Sequence, residues 1–188
     1  MADTELTLTQ IETLLTCYPS SPWYIRRNIV IPNVDWGFLN HEADLLILSK
    51  SNYLTEIEIK RSWVDFKNDF KKKHTHQDKK LSHFYYAVPY SVAEKVFNWL
   101  YEGEFDCPLD WRFTYTQSKV TGYKETNLNK CGLIIYADKD LYRGIPICGI
   151  NVPAARIGNY KVSVEEELSL LRLLGLRVWK LKQKLAEK

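Results

Sequence analysis

The stretch DLLILSKSNYLTEIEIK, residues 44–60, constrains the fold of this chain most. Two apolar runs flank the short polar segment Lys50-Ser51-Asn52, a pattern that predicts two strands joined in a hairpin. Side chains alternate faces along a strand. Ala43, Leu45 and Ile47 therefore share one face of the first strand, and Ile57 and Ile59 share one face of the second. The opposite face carries Glu42, Asp44, Leu46 and Leu48 from one strand and Leu54, Glu56, Glu58 and Lys60 from the other. That face is apolar near the turn and charged at the open end, which is not the pattern of a plain solvated face.

The register follows from the loop. With Lys50-Ser51-Asn52 as a three-residue loop, Ser49 pairs with Tyr53 and Asp44 falls opposite Glu58. Such a loop needs one residue in the left-handed conformation, and Asn52 is suited to it. A slip of one residue would send the two carboxylates to opposite faces and would split Leu45, Ile47, Ile57 and Ile59 as well. Directly opposed side chains have Cβ atoms about 4.5–5.5 Å apart, and two carboxylates that close repel each other. A divalent cation between them removes the repulsion. Mg²⁺ takes oxygen ligands and is commonly held by one or two carboxylates together with substrate phosphates. Lys60, two residues on and on the same face, adds a positive charge suited to orienting water or stabilising charge that develops on a phosphate.

The rest of the chain reads as one domain around this hairpin. Apolar residues at 8, 11, 14 and 15 predict a helix over 4–17. Further strands are expected on either side of Pro32 and Gly37. Ser62, followed three residues later by Asp65, predicts the start of a helix over 63–73. On it Trp63, Phe66 and Phe70 share one face, and Lys67, Asp69, Lys71 and Lys72 lie on the others. A strand over 83–88, a helix over 91–101, strands over 131–137 and 146–152, and a long helix from Ser163 to the end follow. Residues 102–130 read as irregular or weakly extended. In the last helix, Leu171, Leu174, Val178, Leu181 and Leu185 recur at 3-4 spacing within a wider apolar band. Packing against the domain's own sheet is the expectation there, and a homodimer contact is the alternative. No apolar run approaches the ~18 residues of a membrane span, and the N-terminus lacks a signal-peptide pattern. Four scattered cysteines (Cys17, Cys107, Cys131, Cys148) fit reduced thiols in a cytoplasmic protein better than a zinc site or a disulfide framework.

The order of an acidic helix, a strand, a strand with Asp44, a strand with Glu58-Ile59-Lys60, a helix and a strand resembles the PD-(D/E)xK nuclease superfamily. Ala43-Asp44 stands where that family usually has Pro-Asp, and the missing proline supplies no ligand. Glu58-Ile59-Lys60 matches the E-x-K element, and IKRSWVDFKNDFKKKH followed by HFYYAVP is similar to small bacterial and phage members of the MmcB-like DNA-repair type. The resemblance spans about residues 5–90. It implies an α/β fold with a restriction-endonuclease-like core, a mixed central sheet flanked by helices. It implies a metal-dependent endonuclease that hydrolyses phosphodiester bonds in DNA, in repair or in phage or mobile-element DNA processing. Asp44 and Glu58 would be ligands of Mg²⁺ or Mn²⁺, together with the backbone carbonyl of Ile59, and Lys60 would be the catalytic lysine. Glu12 on the first helix is the candidate for a further ligand, and Glu42 and Glu56 are alternatives for a second metal. The competing reading is a catalytically inactive module of the same fold that binds DNA or a protein.

Net charge is only +3, so a nucleic-acid surface must come from local clustering. Arg61, Lys67, Lys71, Lys72 and Lys73 follow the E-x-K strand and begin beside the proposed metal, where a phosphate backbone has to lie. Asp65, Asp69 and Asp78 dilute the cluster. His74 and His76 have same-face strand spacing, and two histidines do not make a zinc site. RNA stays open as a substrate beside DNA.

Overall fold

The computed structural model describes residues 4–34, 37–72, 76, 78–107, 118–127, 129–139 and 144–187. It is a mixed α/β protein. Helix α1 (Leu8–Thr16) is followed by strands β1 (Ile29–Val34), β2 (Ala43–Leu48) and β3 (Leu54–Ile59) and then by helix α2 (Trp63–Asp69). Strand β4 (Leu81–Pro89), helix α3 (Tyr90–Leu100), strands β5 (Tyr101–Glu104), β6 (Lys119–Tyr123), β7 (Gly132–Ala137) and β8 (Ile147–Val152), and helix α4 (Val164–Ala186) complete it. Six strands form the main sheet in the order β1-β2-β3-β4-β7-β8, and β5 and β6 form a separate ribbon.

The β2–β3 pairing is antiparallel, with Leu45 opposite Ile57, Leu46 opposite Glu56 and Leu48 opposite Leu54. Asn52 has φ 63°, the left-handed conformation the loop requires, and the Ser49 N–H donates to the Tyr53 carbonyl at 3.0 Å. Strand β4 runs parallel to both its neighbours, β3 and β7. Such strands are covered on both faces and read as continuous apolar runs, which accounts for the almost wholly buried β4. Pro32 sits inside β1 rather than ending it. A proline lacks the N–H for a ladder on both sides, and β1 is an edge strand, where that donor is dispensable.

The sheet has a core on each face. Ile11, Leu14 and Leu15 of α1 pack with Leu45, Ile47, Ile57 and Ile59 on one side. Phe66 of α2 and Val92, Val96 and Leu100 of α3 pack with Phe84, Tyr86 and Val88 on the other. Leu46, Leu48 and Leu54, on that second face nearer the turn, meet Leu170 of α4. The alternation along β2 and β3 thus assigns its two apolar sets to different cores.

Three expectations are corrected. α2 ends at Asp69, capped by Phe70, so Lys71 and Lys72 lie beyond it; Lys73 and His74 fall outside the described residues. Residues 101–104 and 119–123, expected within an irregular or weakly extended stretch, pair as an antiparallel ribbon with a register shift between Glu102 and Gly103. α4 does not lay its apolar band on the sheet: Leu170 is its one buried residue among those described, while Leu171, Val178, Leu181 and Leu185 are exposed. No helix among the described residues is long and apolar enough to cross a membrane.

Candidate metal centre

The hairpin register, carried one pair past Leu45–Ile57, sets Asp44 opposite Glu58. Asp44 accepts a hydrogen bond from the Ile59 N–H at 2.8 Å. In an extended strand a residue's N–H and C=O leave along the same edge, so the Ile59 carbonyl faces the β2 side as well. Burial, reinforced by the charge of Glu58, pushes the Asp44 carboxyl up to about 7 against the pull of the Ile59 N–H and Lys60. Glu58 is buried; its Oε1 accepts from the Lys60 ammonium at 2.7 Å, and its Oε2 is buried with no hydrogen-bond partner among the described residues. A buried carboxylate oxygen without a donor leaves its desolvation uncompensated.

Lys60 is almost wholly buried and also donates to Asp69 Oδ1 at 2.8 Å. Burial opposes its charge, but Glu58 and Asp69 outweigh that and hold the ammonium above the ordinary lysine range. Asp69 reaches this point because α2 starts at Ser62, whose hydroxyl accepts from the Asp65 N–H at 3.1 Å; the helix then turns Phe66 and Asp69 together into the sheet. Asp69 Oδ2 takes the Tyr86 hydroxyl and a His76 ring nitrogen, each at 2.8 Å. Burial resists ionisation of Asp69, yet these bonds and the Lys60 charge hold its carboxyl far below the usual range. The other His76 nitrogen meets Glu56 Oε1 at 2.6 Å, and His41 meets Glu56 Oε2 at 2.8 Å. Against the cost of burial, the two acids raise His76 to about 10, and the two histidines keep Glu56 below its ordinary value.

The structure thus brings Asp44, Glu58, Ile59 and Lys60 together and adds partners the sequence did not point to. Glu56 lies on the same face but deeper, fully buried between two histidines. Glu42 is exposed and precedes β2. Glu12 belongs to α1, whose apolar side covers the opposite face of the sheet; its Oε1 is buried without a partner, and burial raises its carboxyl. No hydrogen bond joins it to Asp44 or Glu58. Among the described residues two sets have ligand atoms that all lie within 4.8 Å of one another, one of His41, Glu56 and His76 and one of Glu58, Asp69 and His76. Hydrogen bonds already occupy most of those atoms, whereas Glu58 Oε2 is free to accept a cation.

The basic residues divide. Arg61 donates to the Leu6 carbonyl at 3.0 Å and so fastens the N-terminal segment. Lys67 is exposed over the Trp63 ring, and exposed Lys71 donates to Asn68 at 2.9 Å. Lys72 turns inward, 2.7 Å from Asp69 and 3.8 Å from Glu58, with its side chain 56% exposed.

Sequence offered little warning of Asp69, His76, His41 and Tyr86. Asp69 looks like one of several acids diluting a lysine run, and His76 like half of a weak pair. Only the turn of α2 onto β3 and β4 unites them.

No family model matches the chain, and no curated protein matches it. A solved structure of a protein of unknown function from Silicibacter pomeroyi is similar over 86% of this chain and 82% of its own, at 15% identity and a TM-score of 0.47. At that score the likeness fixes neither fold family nor function.

Proposed function

We propose that the protein is a metal-dependent phosphodiester hydrolase acting on DNA, with a restriction-endonuclease-like core. The observation that carries this reading is Glu58 Oε2, buried without a donor on the strand face shared with Asp44. Asp44, Glu58 and the Ile59 carbonyl would hold one Mg²⁺ or Mn²⁺. Hard oxygen donors of this kind suit such ions, and a cation there satisfies the orphaned oxygen and relieves the repulsion that raises Asp44. Bound in that position, the ion would polarise a phosphate and lower the pKa of water.

The chain's own residues do the rest. Lys60 stays protonated, anchored by Asp69, and supplies a fixed positive charge at the edge of the carboxylate pair. Lys67 and Lys71, exposed beside α2, are available to phosphates. Lys72 balances the acids in the metal-free protein; a cation would release it toward the substrate. The intact Asp44, Glu58 and Lys60 set favours this over a non-cutting module of the same fold.

The test incubates purified protein with duplex, single-stranded and branched DNA, and with RNA, in Mg²⁺, Mn²⁺ or EDTA, alongside Glu58→Gln. Cleavage that needs the metal and is lost in Glu58→Gln is expected. Cleavage at the wild-type rate in Glu58→Gln, or none on any substrate, would overturn the assignment.

A further inference from the structure

We propose that α4 pairs with α4 of a second copy of this chain, antiparallel, to form a two-fold symmetric dimer. The helix has 23 residues, about 34 Å at 1.5 Å per residue. One side of it is used at home. Glu166 accepts from the Tyr160 hydroxyl at 2.7 Å and pairs with Lys80 at 2.9 Å, and Leu170 and Leu173 join the core below. These residues share one helix face.

The opposite face carries Val164, Leu168, Leu171, Gly175, Val178 and Leu185, with Lys182 completing an unbroken 4-3 alternation. That is the spacing of a coiled-coil seam, and every position in it is exposed. Leu168 is 48% exposed, Leu171 41%, Val178 47% and Leu185 71%. An apolar stripe this long, on the side away from its own domain, is the mark of a surface built to be covered. Gly175 lies at its middle. Glycine inside a helix costs roughly 0.5–1 kcal/mol relative to alanine, and nothing in the chain's own fold requires it, since a Cβ there would meet no atom within 4 Å. A second helix crossing at that point would use the close approach.

The charges choose the partner and its direction. Glu165 and Glu167 flank the stripe in the first turn, and Lys182 lies within it near the other end. A parallel pair would set acids against acids and lysines against lysines. In an antiparallel pair the first turn of each helix meets the lysine end of the other. With the two Gly175 residues at the two-fold axis, Lys182 is level with the second copy's Leu168, one residue from its Glu167. One surface then complements itself, as a two-fold interface requires.

Sedimentation velocity of the full chain over a concentration series tests this. The expected result is a concentration-dependent shift from one chain to two. Val178→Glu, which places a charge in the seam, is expected to raise the dimer Kd about 100-fold, or about 2.8 kcal/mol at 1.4 kcal/mol per decade, with an unchanged far-UV spectrum and, at concentrations where both proteins are monomeric, an unchanged unfolding midpoint. Lys182→Glu and Glu167→Lys are each expected to weaken the dimer, and together to restore part of it. A wild-type chain that stays monomeric throughout would overturn the proposal. So would a dimer insensitive to Val178→Glu, a double charge reversal that restores nothing, or a monomer that uses the same residues to bind vesicles of anionic lipid.

Discussion

The Lys60 ammonium is held 2.8 Å from Asp69 Oδ1, although the two residues come from different elements and Lys60 already has Glu58 beside it on its own strand. Asp69 also receives His76, Tyr86 and Lys72. It is the point through which α2 is fastened to β3 and β4 by polar bonds, beneath the apolar contact made by Phe66.

Removing that carboxylate leaves buried donors without acceptors, which is more costly than losing one good bond. Asp69→Ala is expected to destabilise the fold by about 3–5 kcal/mol, the range for breaking a buried charge pair from one side. Lys71→Ala, on the exposed neighbour whose ammonium donates to Asn68, is expected to stay within about 0.5 kcal/mol of wild type. Urea unfolding of the two variants checks the contrast. Equal midpoints would mean that Asp69 is not the fastening point.

His76 makes stability depend on pH in a definite direction. Its pKa is raised from 6.5 to about 10, so the folded state holds a proton the unfolded state has given up. The contribution is complete below about pH 6.5 and is lost as pH rises toward about 10. Stability is therefore expected to fall across that window. On the acid side, Asp69 and Glu56 are lowered by their partners, so their contribution is lost as pH drops below the ordinary carboxylate range. His76→Gln, which cannot carry the proton, is expected to flatten the alkaline slope. Thermal melts in a pH series read both effects, and an unchanged slope in His76→Gln would assign the dependence to another group.

How much of this was legible in the sequence depends on how local each feature is. The β2–β3 register was readable because period-two alternation and a three-residue loop fix it with residues a few positions apart. Leu45, Ile47, Ile57 and Ile59 share one core, and Asp44 shares the other face with Glu58, for that local reason. The caps at Ser62 and Ser163 were readable for the same cause. The His41–Glu56–His76–Asp69 chain was not, because its members stand on four separate segments and each alone has an ordinary surface reading. The destination of α4 was also hidden. Periodicity reveals that a helix has an apolar band, but what covers the band is a tertiary or quaternary matter.

Asp44 separates a cation site from a simple polar cluster. Its carboxyl is raised from 3.8 to about 7, first by burial and then by Glu58, so the ionised form weakens the metal-free fold increasingly as pH climbs through that interval. Asp44→Asn removes the charge and keeps an oxygen for the Ile59 N–H. In EDTA at pH 8 the variant is expected to be more stable than wild type, by roughly 1–3 kcal/mol at 1.36 kcal/mol per pKa unit with allowance for partial exposure. With Mg²⁺ in excess the order is expected to reverse or close, because only wild type gains from binding. Melting curves with EDTA and with Mg²⁺ check this. A wild-type midpoint that Mg²⁺ leaves unmoved would argue against a cation between Asp44 and Glu58.

The register of the β2–β3 hairpin turns on Asn52. Its φ of 63° lies in the left-handed region, which costs most residues roughly 1–2 kcal/mol and asparagine or glycine much less. Its carbonyl also accepts from the Val162 N–H at 2.9 Å, tying the hairpin tip to the segment before α4, and that bond does not depend on the side chain. Asn52→Gly is therefore expected to be nearly neutral, the freer backbone of glycine in the unfolded chain offsetting its ease at positive φ. Asn52→Val is expected to lose at least about 1–2 kcal/mol, since a β-branched residue is strained there. Deleting Ser51 is a harsher change. It shortens the loop to two residues, and the pairing can then keep either the loop or the register that puts Asp44 and Glu58 on one face, not both. Loss of cooperative unfolding is expected for the deletion, with Asn52→Gly as the control that folds. A deletion variant that unfolds cooperatively at the wild-type midpoint would show that the hairpin register does not depend on its loop.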